Sequence, residues 1–91
     1  MALTFEWDNN KAKSNVAKHN VSFEEASTVF GDTHSITIED ATHSKVEKRF
    51  VTLGLSLSKR LLVVIHTERG ERIRIISSRK ASNKEKQQYE K

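Results

Sequence analysis

The 91 residues contain no cysteine and no proline, only three glycines, and one each of methionine, tryptophan and tyrosine. Without cysteine there are no disulfides, thiolate metal ligands or cysteine nucleophiles, so a disulfide-stapled secreted miniprotein is excluded. Neither a G-x-x-x-x-G-K-[ST] phosphate loop nor a G-x-G-x-x-G dinucleotide turn occurs. Long apolar runs are missing too: the longest V/I/L stretch, Leu61 to Ile65, falls far short of the roughly 20 residues of a membrane span. The segment Met1 to Asp8 shows no basic start followed by an apolar run, so no signal peptide is read. The expectation is a soluble cytoplasmic protein, one domain over residues 1–91, with no cofactor.

What is present is charge, unevenly placed. Residues 1–45 hold four lysines and seven acids, whereas residues 46–91 hold twelve basic and five acidic residues. All six arginines (Arg49, Arg60, Arg69, Arg72, Arg74 and Arg79) lie in the second part. Arginine keeps its charge and offers a planar fork of donors matched to phosphate. A basic surface serves solubility as readily as it serves a polyanion, so charge alone names no partner.

Periodicity divides the chain. Leu3 to Trp7 alternates as a short strand. Asp8 then reads as an N-cap, with Ala12, Val16 and His19 on one helical face. Asn20, a residue tolerant of the left-handed conformation, predicts the stop. Ser22-Phe23-Glu24-Glu25 has the capping-box pattern and opens a second helix, with Phe23, Ala26 and Phe30 inward and Gly31 as its end. The two helices form an αα-hairpin. From residue 34 the period becomes two: a strand about Ile36 and Ile38, a polar stretch from Glu39 to Lys45, then strands at Glu47 to Leu55, Arg60 to His66 and Arg72 to Arg79. Glu68-Arg69-Gly70-Glu71 reads as a hairpin turn. Ser82 to Glu85 repeats the capping-box pattern before a polar C-terminal helix ending near Tyr89. The predicted class is α+β: an αα-hairpin on a four-stranded antiparallel sheet, with a short N-terminal strand and a C-terminal helix.

Alternation puts Arg72 and Arg74 on one face of the last strand and Ile73 and Ile75 on the other. Neighbouring strands are expected to add Arg49 and His66 to the arginine face. Two readings follow: a salt-bridged, solvent-facing sheet with Glu47, Glu68 and Glu71 as partners, or a concave phosphate-binding surface. Arg79 has the opposite parity and joins the arginines only through a bulge or from the sheet end. His19, at a helix end, reads either as a capping residue or as a proton-transfer group. Asp32, His34, Asp40 and His43 match no compact metal motif, so no metal site is expected. The phenylalanines occupy core positions, which argues against a base-stacking platform.

Phe5-Glu6-Trp7-Asp8, Lys11, Asn15, Lys18-His19 and Val21-Ser22-Phe23-Glu24-Glu25-Ala26 strongly resemble the BrnT family of toxins. So do Glu47-Lys48-Arg49-Phe50, Gly54, Arg72 to Ala81, Glu85 and Tyr89. The resemblance runs from about Phe5 to Glu90, in two blocks in the family's order. Asn20, Ser78 and Lys86 depart from the commonest pattern, and none of the three removes a charged group with a catalytic reading. The resemblance implies a RelE-like toxin of a bacterial type II toxin–antitoxin pair. It also implies metal-independent RNA cleavage that inhibits translation, and neutralisation by a BrnA-type ribbon-helix-helix antitoxin. Operator DNA would be reached only through that antitoxin, and no membrane is involved.

Attack of a 2′-hydroxyl on the adjacent phosphate needs a base, an acid and cations for the developing charge. On that chemistry Arg74 and Arg72 are the primary charge stabilisers, with Arg49 and Arg79 in support. His19 is assigned to proton transfer, Glu47 to a second base or to orienting an arginine, and Lys18 and Lys80 to binding RNA. The alternatives are a non-catalytic RNA- or protein-binding module, a gyrase-directed toxin of the same fold, and an interaction subunit whose arginines pair with an acidic partner.

Overall fold

The structure is a computed structural model and describes residues 3–43 and 47–91. Part of the expected polar stretch, at Ser44 and Lys45, lies outside the described residues. The elements run β1 (Thr4–Glu6), α1 (Asn9–His19), α2 (Phe23–Thr28), a 3-10 turn (Val29–Gly31), β2 (Ile36–Glu39), a second 3-10 turn (Ala41–His43), β3 (Arg49–Leu55), β4 (Leu61–Arg69), β5 (Arg72–Lys80) and α3 (Asn83–Tyr89).

Local signals set the helix ends. Asp8 caps α1 by accepting from the Asn10 and Lys11 amides at 2.7 and 3.1 Å, which pulls its carboxyl below the usual range. Asn20 ends the helix at φ 56°, its amide bonded to the Val16 carbonyl. Ser22 caps α2, but Glu25 does not reach back to it. The Glu25 carboxylate is taken by Arg60, with Arg60 Nε at 2.9 Å, and by the Ser56 hydroxyl at 2.7 Å. At Ser82 and Glu85 the capping box is complete.

The sheet corrects the sequence expectation. Among the described residues it has five strands and is mixed, in the order β1-β5-β4-β3-β2. β1 pairs parallel to β5, while β5-β4-β3-β2 is an antiparallel meander. A three-residue strand at a chain end carries no turn signal that names its partner, so alternation alone does not place β1. The αα-hairpin differs as well. The second helix is only six residues before it tightens into the 3-10 turn, and both helices pack on β5. The inward positions of α1 are Ala12 and Asn15; Val16 and His19 are exposed. Helical spacing predicts Val16 and His19 on the inward face, but β5 draws in a polar amide instead.

Asn15 explains this. Its Nδ2 donates to the carbonyls of Val21 and Ser78, both at 2.8 Å, and its Oδ1 accepts from the Ser78 amide at 3.0 Å. β1 stops pairing at Arg74, and the Asn15 amide then serves the β5 edge as a one-residue strand would. Val21, Phe23, Ala26 and Val29 meet Leu62, Val64 and Ile75 in the core, with Phe5, Trp7 and Phe30 packed around them.

A register shift beside Ile65 and His66 matters for the other face. Ile65 opposes Ser77 and His66 opposes Ile75, so Ile76 is an extra residue on β5. Such a bulge reverses the side-chain parity beyond it. Arg72, Arg74, Ser77 and Arg79 therefore all project from the face opposite the α1–α2 core.

Candidate functional site

The cross-strand register builds a row on that face: Glu6 beside Arg74, Arg74 opposite Thr67, Thr67 opposite Arg49. A second row lies next to it, with Thr4 beside Arg72 and Arg72 opposite Arg69. Directly paired side chains in a sheet stand about 5 Å apart at Cβ. Four guanidiniums are thus gathered at one end of the sheet, with two carboxylates among them. Arg74 donates to Glu6 at 2.9 Å, Arg72 reaches the other Glu6 oxygen at 3.7 Å, and Arg69 lies 3.6 Å from Glu47. The Arg74 hydrogen bond holds the Glu6 carboxyl below its usual range, with the charges of Arg74, Arg72 and Arg69 adding to it. Glu6 is therefore an ionised strut between two arginines. Thr67 is buried beneath the row, its hydroxyl donating to the Lys48 carbonyl at 2.6 Å.

The sequence brought forward Arg72, Arg74 and Arg49, and the register unites them. It missed Glu6 and Arg69. Alternation of Thr4 and Glu6 against Phe5 and Trp7 was the available signal for Glu6, but only the β1–β5 pairing shows which arginines it meets. Of the expected carboxylate partners, Glu47 is in place. Glu68 is on the opposite face, across from Ile73, and Glu71 is an exposed turn residue.

His66 does not join the arginine face. It opposes Ile75 and points into the helix side, buried between Phe30 at 4.8 Å and Phe50 at 5.8 Å between ring centroids. Its Nε2 lies 2.7 Å from the Thr52 hydroxyl, which is itself 2.8 Å from that of Thr37, and its Nδ1 has no partner among the described residues. Burial lowers its pKa to about 4, so the ring is neutral at physiological pH.

His19 and Lys18 lie along the flank of β5. With Lys11, Ser14, Asn15, Ile76 and Ser77 they line a cavity of about 170 Å³ where the β1 pairing has ended. Arg79 shares the face of Arg74 but stands toward the other end of β5. There it makes a two-pronged contact with Glu85 at 2.8 and 2.9 Å, and this pair lowers the Glu85 pKa to about 2. Lys80 lines a separate cleft at the β5 terminus. Asp32 accepts from the His34 and Leu55 amides and, at 2.5 Å, from the Tyr89 hydroxyl. Burial opposes its ionisation, but these bonds prevail and its pKa is lowered.

Over residues 7–85 the chain matches a family of ribonuclease toxins of type II toxin–antitoxin systems. That family is BrnT, and the chain belongs to it. Membership implies an antitoxin partner and an RNA target. In fold it is similar to the ribonuclease toxin BrnT of Brucella abortus, solved by crystallography at 1.1 Å resolution, with a TM-score of 0.70. The two are 21% identical, and the match covers 90% of this chain and 100% of that one. No sequence among the curated proteins matches. Among the described residues no helix is long and apolar enough to cross a membrane.

Proposed function

We propose that RNA is cut at the arginine end of the open sheet face, by attack of a 2′-hydroxyl on the adjacent phosphate without a metal ion. The observation that carries this reading is the row Glu6–Arg74–Thr67–Arg49, with Arg72 and Arg69 alongside. Several guanidiniums fixed on rigid strands can meet the charge that builds on phosphorus, and a preorganised donor acts without reorganising during the step. Arg74 and Arg72 hold the primary role, with Glu6 fixing both forks. Arg49 is placed to meet a second phosphate oxygen. Glu47, beside Arg69, orients that arginine or accepts the 2′-hydroxyl proton.

His19, with Lys18, receives the strand along the β5 flank and supplies the proton for the leaving 5′-oxygen. Arg79 contributes its charge to the face while Glu85 ties it to α3, and Lys80 contacts RNA at the far end. The antitoxin is of BrnA type and neutralises the toxin; operator DNA is met only through it.

The test is incubation of purified protein with single-stranded RNA in excess chelator. Products with 2′,3′-cyclic phosphate ends are the expected result. An intact strand at saturating protein overturns the proposal and leaves a binding module or a gyrase-directed toxin, which a supercoiling assay separates. His19→Ala reads the proton role independently: cleavage at the parental rate at every pH removes it.

A further inference from the structure

Away from the arginine row, the end of β3, the start of β4, the end of β5 and the start of α3 surround a cleft of about 420 Å³. Among the described residues four cationic side chains line it, Lys59, Arg60, Lys80 and Lys86, together with the amide of Asn83, and no carboxylate does. Arg60 is already bound to Glu25. The three lysines have no ion-pair partner among the described residues. Lys59 stands in the tight turn after β3 at φ 66°, a conformation that glycine or asparagine adopts at less cost. Like charges around one concavity repel until an anion enters it.

We propose that this cleft is a phosphate subsite for the RNA strand, remote from the scissile bond. The proposal rests on the ribonuclease reading of the arginine face and adds to it where the rest of the strand lies. Lysines meet phosphates as point charges and carry no base information. Among the described residues no aromatic ring lines the cleft, so the backbone is held and the bases are not stacked. β5 joins the two sites around the sheet end: Lys80, opposite Leu62, lies on the helix side, while Arg74 projects from the other face. Arg74 and Lys80 are six residues apart on one strand, about 20 Å, and the cavity containing Lys11 and Lys18 adjoins Ser77 between them. A long strand reaches both ends, whereas a dinucleotide reaches only the arginines.

The test is the double variant Lys59→Asn with Lys86→Gln. Asparagine suits the left-handed turn and glutamine suits the helix, so both charges go while the fold is retained. Cleavage of a long single-stranded RNA should show a KM raised several-fold at unchanged kcat, and dinucleotide cleavage should match the parent. The slope of log affinity against log salt should shrink by about 0.7 for each lysine removed. Equal affinity and equal slope in parent and variant overturn the subsite. So does a variant that binds RNA normally but loses its antitoxin, which would make the cleft a seat for an acidic protein segment. Binding is also measured with an uncleavable 2′-deoxy strand. A parent that cuts no RNA but binds this strand more tightly than the variant removes the cleavage reading and keeps the subsite.

Discussion

Arg74 and Arg79 project from the same face of β5 although they are five positions apart, because Ile76 is a bulge without a cross-strand partner among the described residues. An odd separation in a regular strand puts two side chains on opposite faces. The bulge turns the last four residues of β5 over, so that Arg79 meets Glu85 and ties α3 to the face from which Arg74 projects.

Replacing Arg74 tests the centre of the row. Arg74→Ala should lower kcat for RNA cleavage by about 10²–10³, the usual cost of losing one preorganised donor. Far-ultraviolet circular dichroism and antitoxin capture should be unchanged. Loss of soluble protein would instead make Arg74 a structural residue, held for the sake of Glu6.

Asn15→Ala removes the amide that serves the β5 edge. It strands the Ser78 amide and the carbonyls of Ser78 and Val21, so unfolding free energy should fall by about 3 kcal/mol. Urea denaturation measures this. An effect below about 0.5 kcal/mol would mean that water replaces the amide without penalty.

Gly54 tests packing under the sheet. A Cβ there would stand 2.7 Å from Val29 Cγ1 and 2.9 Å from Ser35 Cβ, both side-chain atoms in a closely packed region. Gly54→Ala should destabilise by about 1–3 kcal/mol through overpacking. Unchanged thermal stability would show that the turn after α2 yields freely.

The neutral His66 makes stability depend on pH. Its folded pKa of about 4 lies below the unfolded value of about 6.5, so the unfolded chain binds the extra proton first. Stability is full above pH 6.5 and declines as the pH falls toward 4, by about 3 kcal/mol in total. His66→Phe should flatten this part of the profile, as measured by urea midpoints at several pH values. A profile equally steep in the variant would assign the proton to another group.

The Arg79–Glu85 pair acts at lower pH. With the Glu85 carboxyl near pKa 2, its contribution is present above the ordinary carboxylate value and lost as the pH falls from about 4.5 to 2. Glu85→Gln should remove that loss and loosen α3, read as faster amide exchange at Lys86 to Tyr89. Exchange equal to the parent's would show that Tyr89 and Asp32 hold the helix unaided.

Element order, the caps at Asp8, Ser22 and Ser82, the stop at Asn20, and the shared face of Arg72 and Arg74 are all legible in the amino-acid sequence. Each of these depends on hydrogen bonds or alternation within a few residues, so nearby side chains carry the whole signal. Which strand β1 joins, the bracing of two arginines by Glu6, the alignment of Arg49 with Arg74 across Thr67, and the inward turn of His66 come from packing between distant segments. Register decides these, because a one-residue slip exchanges the faces of everything beyond it. The bulge at Ile76 is such a slip, and no spacing within β5 alone reveals where the pairing with β4 shifts. Asn15 shows the same limit: a polar residue on a short helix reads as solvent-facing until a strand edge with unmet donors and acceptors is placed beside it.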